Sequence, residues 1–472
     1  MKPFHPAAML LMLGLLDGCS MAPLYARPDA PVAATYPGDT AGAGQSASDI
    51  GWREFFPDQR LQALIESALA NNRDLRSAAL RIEEARALYH VQSADQLPNL
   101  NGTASQSRAR IPGSLTPTGN PVVTSSYQVG VGLAAFELDF FGRVRSLNDA
   151  ALAQYLATAE AQQSAQLTLV AEVAKAYLAE RGTAEQLALA QQTLDGRQKA
   201  FDLSKQRFEV GAASALDLRL SETLVQTARV AQITLQRQRA QAENALTLLV
   251  GNPLFNLPAA TLLSNENIVA GIPAGLPSEL LIRRPDIRAA EQRLKAANAN
   301  IGAARAAFFP RISLTAGFGT SSNALSGLFE AGSRSWSFAP QLLLPIFDAG
   351  RNRSNLTLAQ VRSQLAVADY EKTIQVAFRE VSDALIARSS LDAQVDAQLA
   401  VVAAQTERLS LADQRFQNGI ASELDVVDAQ RELFSAQQAL VQTRQLRLTN
   451  AVDLYRALGG GLHEHGNAAP TP

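Results

Sequence analysis

The feature that most restricts the fold of this chain is an internal duplication. The segment QRFEVGAASALD at residues 206–217 recurs as QRFQNGIASELD at residues 414–425. Self-similarity over so long a spacing indicates two copies of one structural unit rather than a single compact core. We therefore place the two copies at residues 58–250 and 277–458, joined by a linker at residues 251–276 that is rich in Pro, Gly and Asn.

Each copy contains two segments in which apolar residues alternate with small polar ones, the period of a half-buried strand. We predict strands at about residues 98–111 and 125–138 in the first copy and at about 311–321 and 335–345 in the second. The apolar phase shifts near Phe136, which indicates a β-bulge or the end of the strand. The polar partners are small and uncharged, which fits a face that lines water.

Two proline-free segments predict unusually long helices. Residues 143–207 and 352–415 contain no proline, and at ~1.5 Å per residue each would be about 95–100 Å long. Shorter helical segments, at about 73–95 and 215–249 in the first copy, together nearly match one long helix. We therefore expect an α+β protein in which coiled-coil-like helices form a rod, with strands at one end and tight helical turns at the other.

The N-terminus has the pattern of a lipoprotein signal peptide at residues 1–18. Its apolar run ends in LDGC, so that Cys19 would be acylated and become the new N-terminus. We expect residues 19–57 to be an extended segment anchored by lipid on Cys19, and residues 459–472 to be a flexible tail. No other segment approaches the ~18 apolar residues of a membrane-spanning helix, so a membrane crossing would have to use strands.

The number of strands predicts an oligomer. Four strands cannot close a barrel around a lumen, because about eight are needed even for a filled interior. An open sheet in lipid would leave edge amides unpaired at a cost of several kcal/mol each. Other copies of the chain must therefore complete the sheet. Three copies would give about 12 strands, enough for a water-filled channel, although the count alone does not fix the number three.

Four stretches resemble the TolC-type outer membrane factors, and most closely the lipoprotein branch that serves resistance–nodulation–division (RND) multidrug efflux pumps. They are Cys19, residues 52–75, residues 276–291 with the string LPSELLIRRPD, and the two turns that share RFxxGxxSxxD. The resemblance implies a homotrimer with a 12-stranded β-barrel in the outer membrane and a periplasmic α-helical barrel. It also implies passive conduction of drugs or other small molecules, a periplasmic adaptor (membrane fusion) protein and an inner-membrane RND pump.

The resemblance further implies a gate at the periplasmic mouth. The two acids of that gate match Asp425 and Asp428, and its aromatic residue matches Phe416. Acids one helical turn apart share a helix face, and a ring of them selects cations. The basic partner found in some members falls on Ala421, so a salt bridge would need another residue such as Arg415 or Arg219. In the alternative interpretation, both acids are solvated and Asp425 only supports the start of a helix.

The turns themselves are candidate docking sites for the adaptor, as the resemblance implies. The alternative is that their Gly and Ser residues only build a tight turn, in which Gly supplies a positive φ and Ser an N-cap. The candidate residues are Val210, Gly211, Ala212, Ala213 and Ser214 in the first turn, and Asn418, Gly419, Ile420, Ala421 and Ser422 in the second.

Several function classes find no support in the sequence. The formal net charge of -2 gives no electrostatic case for nucleic-acid binding. We expect no enzyme activity, no metal site and no cofactor other than the lipid on Cys19. Two alternatives remain: an outer-membrane duct for type I protein secretion, and a structural coiled-coil lipoprotein without a channel. The alternating strands disfavour the second, because a coiled coil has no use for them.

Overall fold

The computed structural model describes residues 20–36, 46–117, 119–254, 257–265, 268, 272 and 277–466. The predicted signal peptide and Cys19 lie outside these residues. The helices are α1 Trp52–Phe55, α2 Gln59–Asn71, α3 Arg73–Ala94, α4 Arg143–Glu209, α5 Ala215–Val250, α6 Pro277–Arg283, α7 Pro285–Ala306, α8 Arg351–Gln417 and α9 Glu423–Ala457. The strands are β1 Leu100–Ile111, β2 Val122–Leu138, β3 Arg311–Ser322 and β4 Arg334–Leu343.

The duplication in the sequence is visible in the order of elements. The series helix, strand, strand, long helix, helix occurs as α3-β1-β2-α4-α5 and again as α7-β3-β4-α8-α9. The long helices α4 and α8 each contain 67 residues, as the two proline-free segments predict. Without proline, every interior amide can donate to the carbonyl four residues earlier, so nothing interrupts either helix.

The four strands form one antiparallel sheet in the order β1-β2-β3-β4, whose two faces differ in chemistry. Val131, Phe318 and Trp336 lie opposite one another across β2, β3 and β4. Their side chains are 56%, 67% and 77% exposed. The next pair in the register, Gly317 and Ser337, points to the other face. One face is therefore apolar and the other is lined by small residues, as the alternation predicts.

The register of the sheet depends on a bulge and on a glycine. The pairing of β2 with β3 shifts between Leu133 and Phe136, and the intervening Ala135 has a φ of 48°, which confirms the predicted bulge. A Cβ atom on Gly319 would overlap the carbonyl oxygen of Val129. Glycine at this position allows the backbones of β2 and β3 to approach closely.

Contacts divide the chain into two compact units. The first consists of Met1–Asp29, Arg81–Ala159 and Ala289–Glu371 and contains the sheet. The second consists of Ala30–Leu80, Glu160–Arg288 and Lys372–Pro472. Among the described residues of both units, no helix combines the length and the apolar character needed to cross a bilayer.

The core of the second unit holds the segment that precedes α2 against the last helix. The Phe55 ring stacks on Tyr455, with 3.9 Å between the ring centroids, and both side chains are fully buried. The Tyr455 hydroxyl donates a hydrogen bond of 2.7 Å to the carbonyl oxygen of Ile50. Burial of two large aromatic side chains contributes several kcal/mol, so this contact fixes the N-terminal segment on α9.

The string LPSELLIRRPD surrounds a buried arginine. The Arg284 guanidinium pairs with Asp286 and, at 2.8 Å, with Glu380 of α8, and it also donates to the carbonyl oxygen of Ala457. Pro285 follows as the first residue of α7, a position where its missing amide hydrogen costs nothing. The string therefore joins α7, α8 and the end of α9 by one charged side chain.

Candidate functional site

Two turns between helices carry the residues that the sequence singles out. Tip 1, between α4 and α5, consists of Val210, Gly211, Ala212, Ala213 and Ser214, and tip 2, between α8 and α9, consists of Asn418, Gly419, Ile420, Ala421 and Ser422. The two tips have the same backbone geometry. Gly211 has a φ of 76° and Gly419 a φ of 70°, which only glycine adopts without strain.

Hydrogen bonds at the ends of the long helices explain this geometry. The amide of Ala212 donates to the carbonyl oxygen of Arg207 at 2.8 Å, and the amide of Ile420 donates to that of Arg415 at 2.9 Å. These bonds satisfy carbonyls that the end of a helix leaves free, in the arrangement of a Schellman motif. Glycine is therefore needed at both tips for the fold, whatever else the tips do.

Asp425 caps the helix that follows tip 2. Its Oδ2 accepts hydrogen bonds from the Ser422 amide at 3.0 Å and from the Ser422 hydroxyl at 2.8 Å. These bonds lower the pKa of the Asp425 carboxyl, and the positive end of α9 favours its charge. Asp217 forms the same bonds with Ser214 at tip 1. One of the two predicted gate acids thus has a structural role that is repeated at the other tip.

Asp428 is held by two arginines, neither of which was a predicted partner. Arg408 of α8 and Arg431 of α9 each approach one of its carboxylate oxygens to 2.6 Å. Of the two predicted partners, Arg219 pairs with Glu222 instead, and the charge of Arg415 contributes to the lowered pKa of Asp425. Arg431 could have been found from its i+3 spacing to Asp428. Arg408 requires the register of α8 against α9, which the position of the turn at Gly419 sets.

The Phe416 ring lies against Arg207, close to the end of α4. The guanidinium carbon of Arg207 is 5.5 Å from the ring centroid, within the range of a cation–π interaction. This contact joins α4 of the first copy to α8 of the second. Ala421 has no side chain that could pair with Asp425 or Asp428.

Both tips expose apolar side chains to solvent. Val210 is 79% exposed in tip 1 and Ile420 is 68% exposed in tip 2. Leu216 and Leu424, at the starts of α5 and α9, are 77% and 60% exposed. Leu216 and Leu424 hold equivalent positions in the two copies, whereas Val210 precedes the turn glycine of tip 1 and Ile420 follows that of tip 2. Exposed apolar side chains of this kind form a surface suited to contact with another protein.

Comparison with known proteins places the whole chain among efflux proteins. The family model "Outer membrane efflux protein" matches residues 64–252 and 276–460. Outer membrane protein OprJ of Pseudomonas aeruginosa is 50% identical over 469 residues, which cover 98% of this chain and 97% of that protein. Toluene efflux pump outer membrane protein TtgC of Pseudomonas putida is 47% identical over 460 residues, which cover 96% and 95%.

Solved structures show the same fold. The open state of the MtrE outer membrane channel of Neisseria gonorrhoeae matches with a TM-score of 0.88 and 42% identity, over 95% of this chain and 100% of that one. A crystal structure of CusC matches with a TM-score of 0.85 and 42% identity, over 94% of this chain and 100% of that one.

Proposed function

The chain belongs to the outer membrane efflux protein family, and we propose that three copies of it form the exit duct of a tripartite RND-type efflux pump. It is an outer-membrane efflux channel protein, and it has the protomer fold of the TolC-type trimeric channels. The duct conducts drugs or other small molecules passively from the periplasm to the exterior, without a chemical step. Relatives named as outer membrane proteins of antibiotic, toluene and solvent efflux pumps support this cargo class.

The four-stranded sheet carries this proposal. Among the described residues, β1 pairs only with β2 and β4 only with β3, so each outer edge has unpaired amides and carbonyls. The apolar face that contains Phe318 and Trp336 suits lipid, where unpaired edges cost several kcal/mol per group. Neighbouring copies remove this cost by pairing β4 of one copy with β1 of the next.

The test is the oligomeric state and the conductance of purified protein. We expect native mass spectrometry in detergent to give the mass of three chains, and planar bilayers to show discrete single-channel currents. A monomer that opens no channels would refute the proposal and favour a structural lipoprotein.

The tips serve as docking sites for a periplasmic adaptor and thereby for the inner-membrane pump. Exposed Val210 and Ile420 support this assignment. Ala213→Asp and Ile420→Asp should abolish pull-down of the adaptor and drug resistance while trimer yield stays normal, because each places a charge in an apolar contact. Unchanged resistance would count against docking. Arg229→Gln, an exposed change within α5, is the matched control.

Asp428, Asp425 and Phe416 form the periplasmic gate, in which Asp428 supplies the charge that permeating ions meet. The two arginines that pair with Asp428 support this role, because ion pairs at an exposed site can break and form again and so change the charge that an ion meets. Asp425→Ala with Asp428→Ala should lower cation selectivity in planar bilayers. Unchanged selectivity and conductance would leave both acids with structural roles only.

Cys19 carries the covalent lipid that anchors residues 19–57 to the outer membrane. The LDGC sequence supports this assignment. Intact-mass analysis of the mature protein should show the mass of an acylated chain that begins at Cys19, and Cys19→Ser should show an unmodified chain. A mature wild-type chain without added lipid mass would contradict the assignment.

A further inference from the structure

A cavity lies where helices of the two sequence repeats of one chain meet, a few helical turns from the tips. It has a volume of about 150 Å³ and is lined by residues of α4, α5, α8 and α9, all within the second unit. A water molecule needs only ~10–15 Å³ of such space. The cavity therefore has room for a ligand of several atoms, and the polar groups on its wall indicate which kind.

The side chain of Arg197 on this wall has a charge that nothing in the described chain neutralises. The residue is 5% exposed, and its Nη1 donates a hydrogen bond of 3.2 Å to the carbonyl oxygen of Leu224. Its Nε is buried without a partner, and burial lowers the pKa of Arg197 with no opposing contribution from an acid. A buried charge without a counter-charge is costly, so the surroundings of Arg197 favour a ligand that carries negative charge.

The aromatic contact of Arg197 does not replace a counter-ion. Its guanidinium carbon lies 5.8 Å from the Phe434 ring centroid. A cation–π interaction at this distance offsets only part of the cost of burying an ion, so most of that cost remains.

A second unsatisfied donor lines the same cavity. The Ser204 hydroxyl is buried without a hydrogen-bond partner, and the residue is 3% exposed. Ser204 follows Arg197 by seven residues on α4, so both lie on one face of that helix. Arg207, on the same face, adds a further positive charge beside Phe416. One wall of the cavity thus presents donors and positive charge.

The acids on the opposite wall do not supply the missing charge. Asp413 and Glu423 line the cavity from α8 and α9, but neither forms an ion pair with Arg197 within 4 Å. Burial raises the pKa of the Glu423 carboxyl most, and the charge of Asp217 raises it further, while the charge of Arg207 lowers it. Arg197 does not contribute to the pKa of Glu423, so the two side chains are not paired. The guanidinium of Arg197 is therefore available to another ligand.

We propose that this cavity is a binding site for a small inorganic anion, chloride or phosphate, held by Arg197 and Ser204. The anion would neutralise Arg197 and satisfy the Ser204 hydroxyl. Helices α4 and α5 belong to the first sequence repeat of the chain, and α8 and α9 belong to the second. Binding of the anion would therefore hold the two helical hairpins of one chain together beside Phe416. The site is independent of cargo, since it rests on groups buried within one chain.

The direct test is crystallography of the assembled wild-type protein with bromide in place of chloride. We expect an anomalous peak in the cavity, within hydrogen-bond distance of Arg197 or Ser204. For phosphate, crystals grown in potassium phosphate without halide should show tetrahedral density at the same place. Density for water alone under both conditions would overturn the proposal.

Thermal unfolding tests the site in solution. At constant ionic strength, replacing gluconate by chloride, and separately by phosphate, should raise the Tm of the wild type by several degrees for the anion that binds. Arg197→Gln and Ser204→Ala should reduce this rise, and the exposed control Arg229→Gln should keep it. If the rise is equal in Arg197→Gln and wild type, or absent from the wild type for both anions, the site does not exist. Should Arg197→Gln fail to fold, Ser204→Ala and the bromide peak still decide the question.

Discussion

The pairing of Asp428 with Arg408 leads to a prediction in which two substitutions act in opposite directions. The two side chains are 35% and 49% exposed, and exposed pairs contribute only ~0.2–1 kcal/mol. Arg408→Gln should therefore lower the Tm by at most about 2–4 °C. It leaves Asp428 with Arg431 alone and so exposes more negative charge at the mouth. Asp428→Asn removes that charge.

The effect on permeation follows from Coulomb's law. A cation about 7 Å from an unmasked carboxylate gains roughly 0.6 kcal/mol in water, which corresponds to about a threefold change in the local concentration of cations. We expect Arg408→Gln to raise the K⁺/Cl⁻ permeability ratio about two- to threefold at low salt, and Asp428→Asn to lower it. Both changes should shrink at 1 M salt, where screening acts over ~3 Å.

Reversal potentials in planar bilayers under a KCl gradient measure this ratio. Arg379→Gln is the control, because Arg379 is a 72% exposed residue of the same helix with only a long contact to Asp383. If Arg408→Gln and Asp428→Asn move the ratio in the same direction, or leave it unchanged, then Asp428 does not face the permeation path and the reasoning is wrong.

Three further predictions concern stability. Gly419→Ala should cost ~1–2 kcal/mol in urea unfolding, because the positive φ of Gly419 is strained for alanine although space for a Cβ is open; no loss would exclude this strain. Phe55→Ala should cost ~3–5 kcal/mol by removing the buried stack on Tyr455, and a loss below ~1 kcal/mol would mean that the N-terminal segment is held elsewhere. Glu423→Gln should raise the Tm relative to wild type, because a carboxyl whose pKa is raised in the folded state destabilises the fold once it is ionised. The difference in Tm should grow as the pH rises above ~4.3, the ordinary pKa of glutamate. A difference that does not depend on pH would contradict this prediction.

The fold was largely predictable because it depends on features that a sequence displays directly. The absence of proline over 143–207 and 352–415 predicts α4 and α8, and alternation predicts the strands and their two faces. The phase shift near Phe136 predicts the bulge at Ala135. Each is a local pattern repeated over many residues, so that small errors in single positions do not matter.

The candidate site was less predictable because it depends on contacts between helices. The sequence around Asp428 does not predict its pairing with Arg408, because Arg408 lies on the other helix of the hairpin. The spacing of Ser422 and Asp425 indicates a helix N-cap, whereas the resemblance assigns Asp425 to the gate. The lack of an ion-pair partner for Arg197 is a property of its surroundings, since only the structure shows that no acid pairs with it.

The shared backbone of the two tips has a consequence for stoichiometry. Gly211 and Gly419 give both turns one conformation, while Val210 and Asn418 give them different surfaces. In an assembly of three chains, a protein that recognises the backbone shape meets six equivalent positions, whereas one that recognises side chains meets three of each kind. Counting the bound adaptor chains per trimer would therefore reveal which property of the turn is recognised.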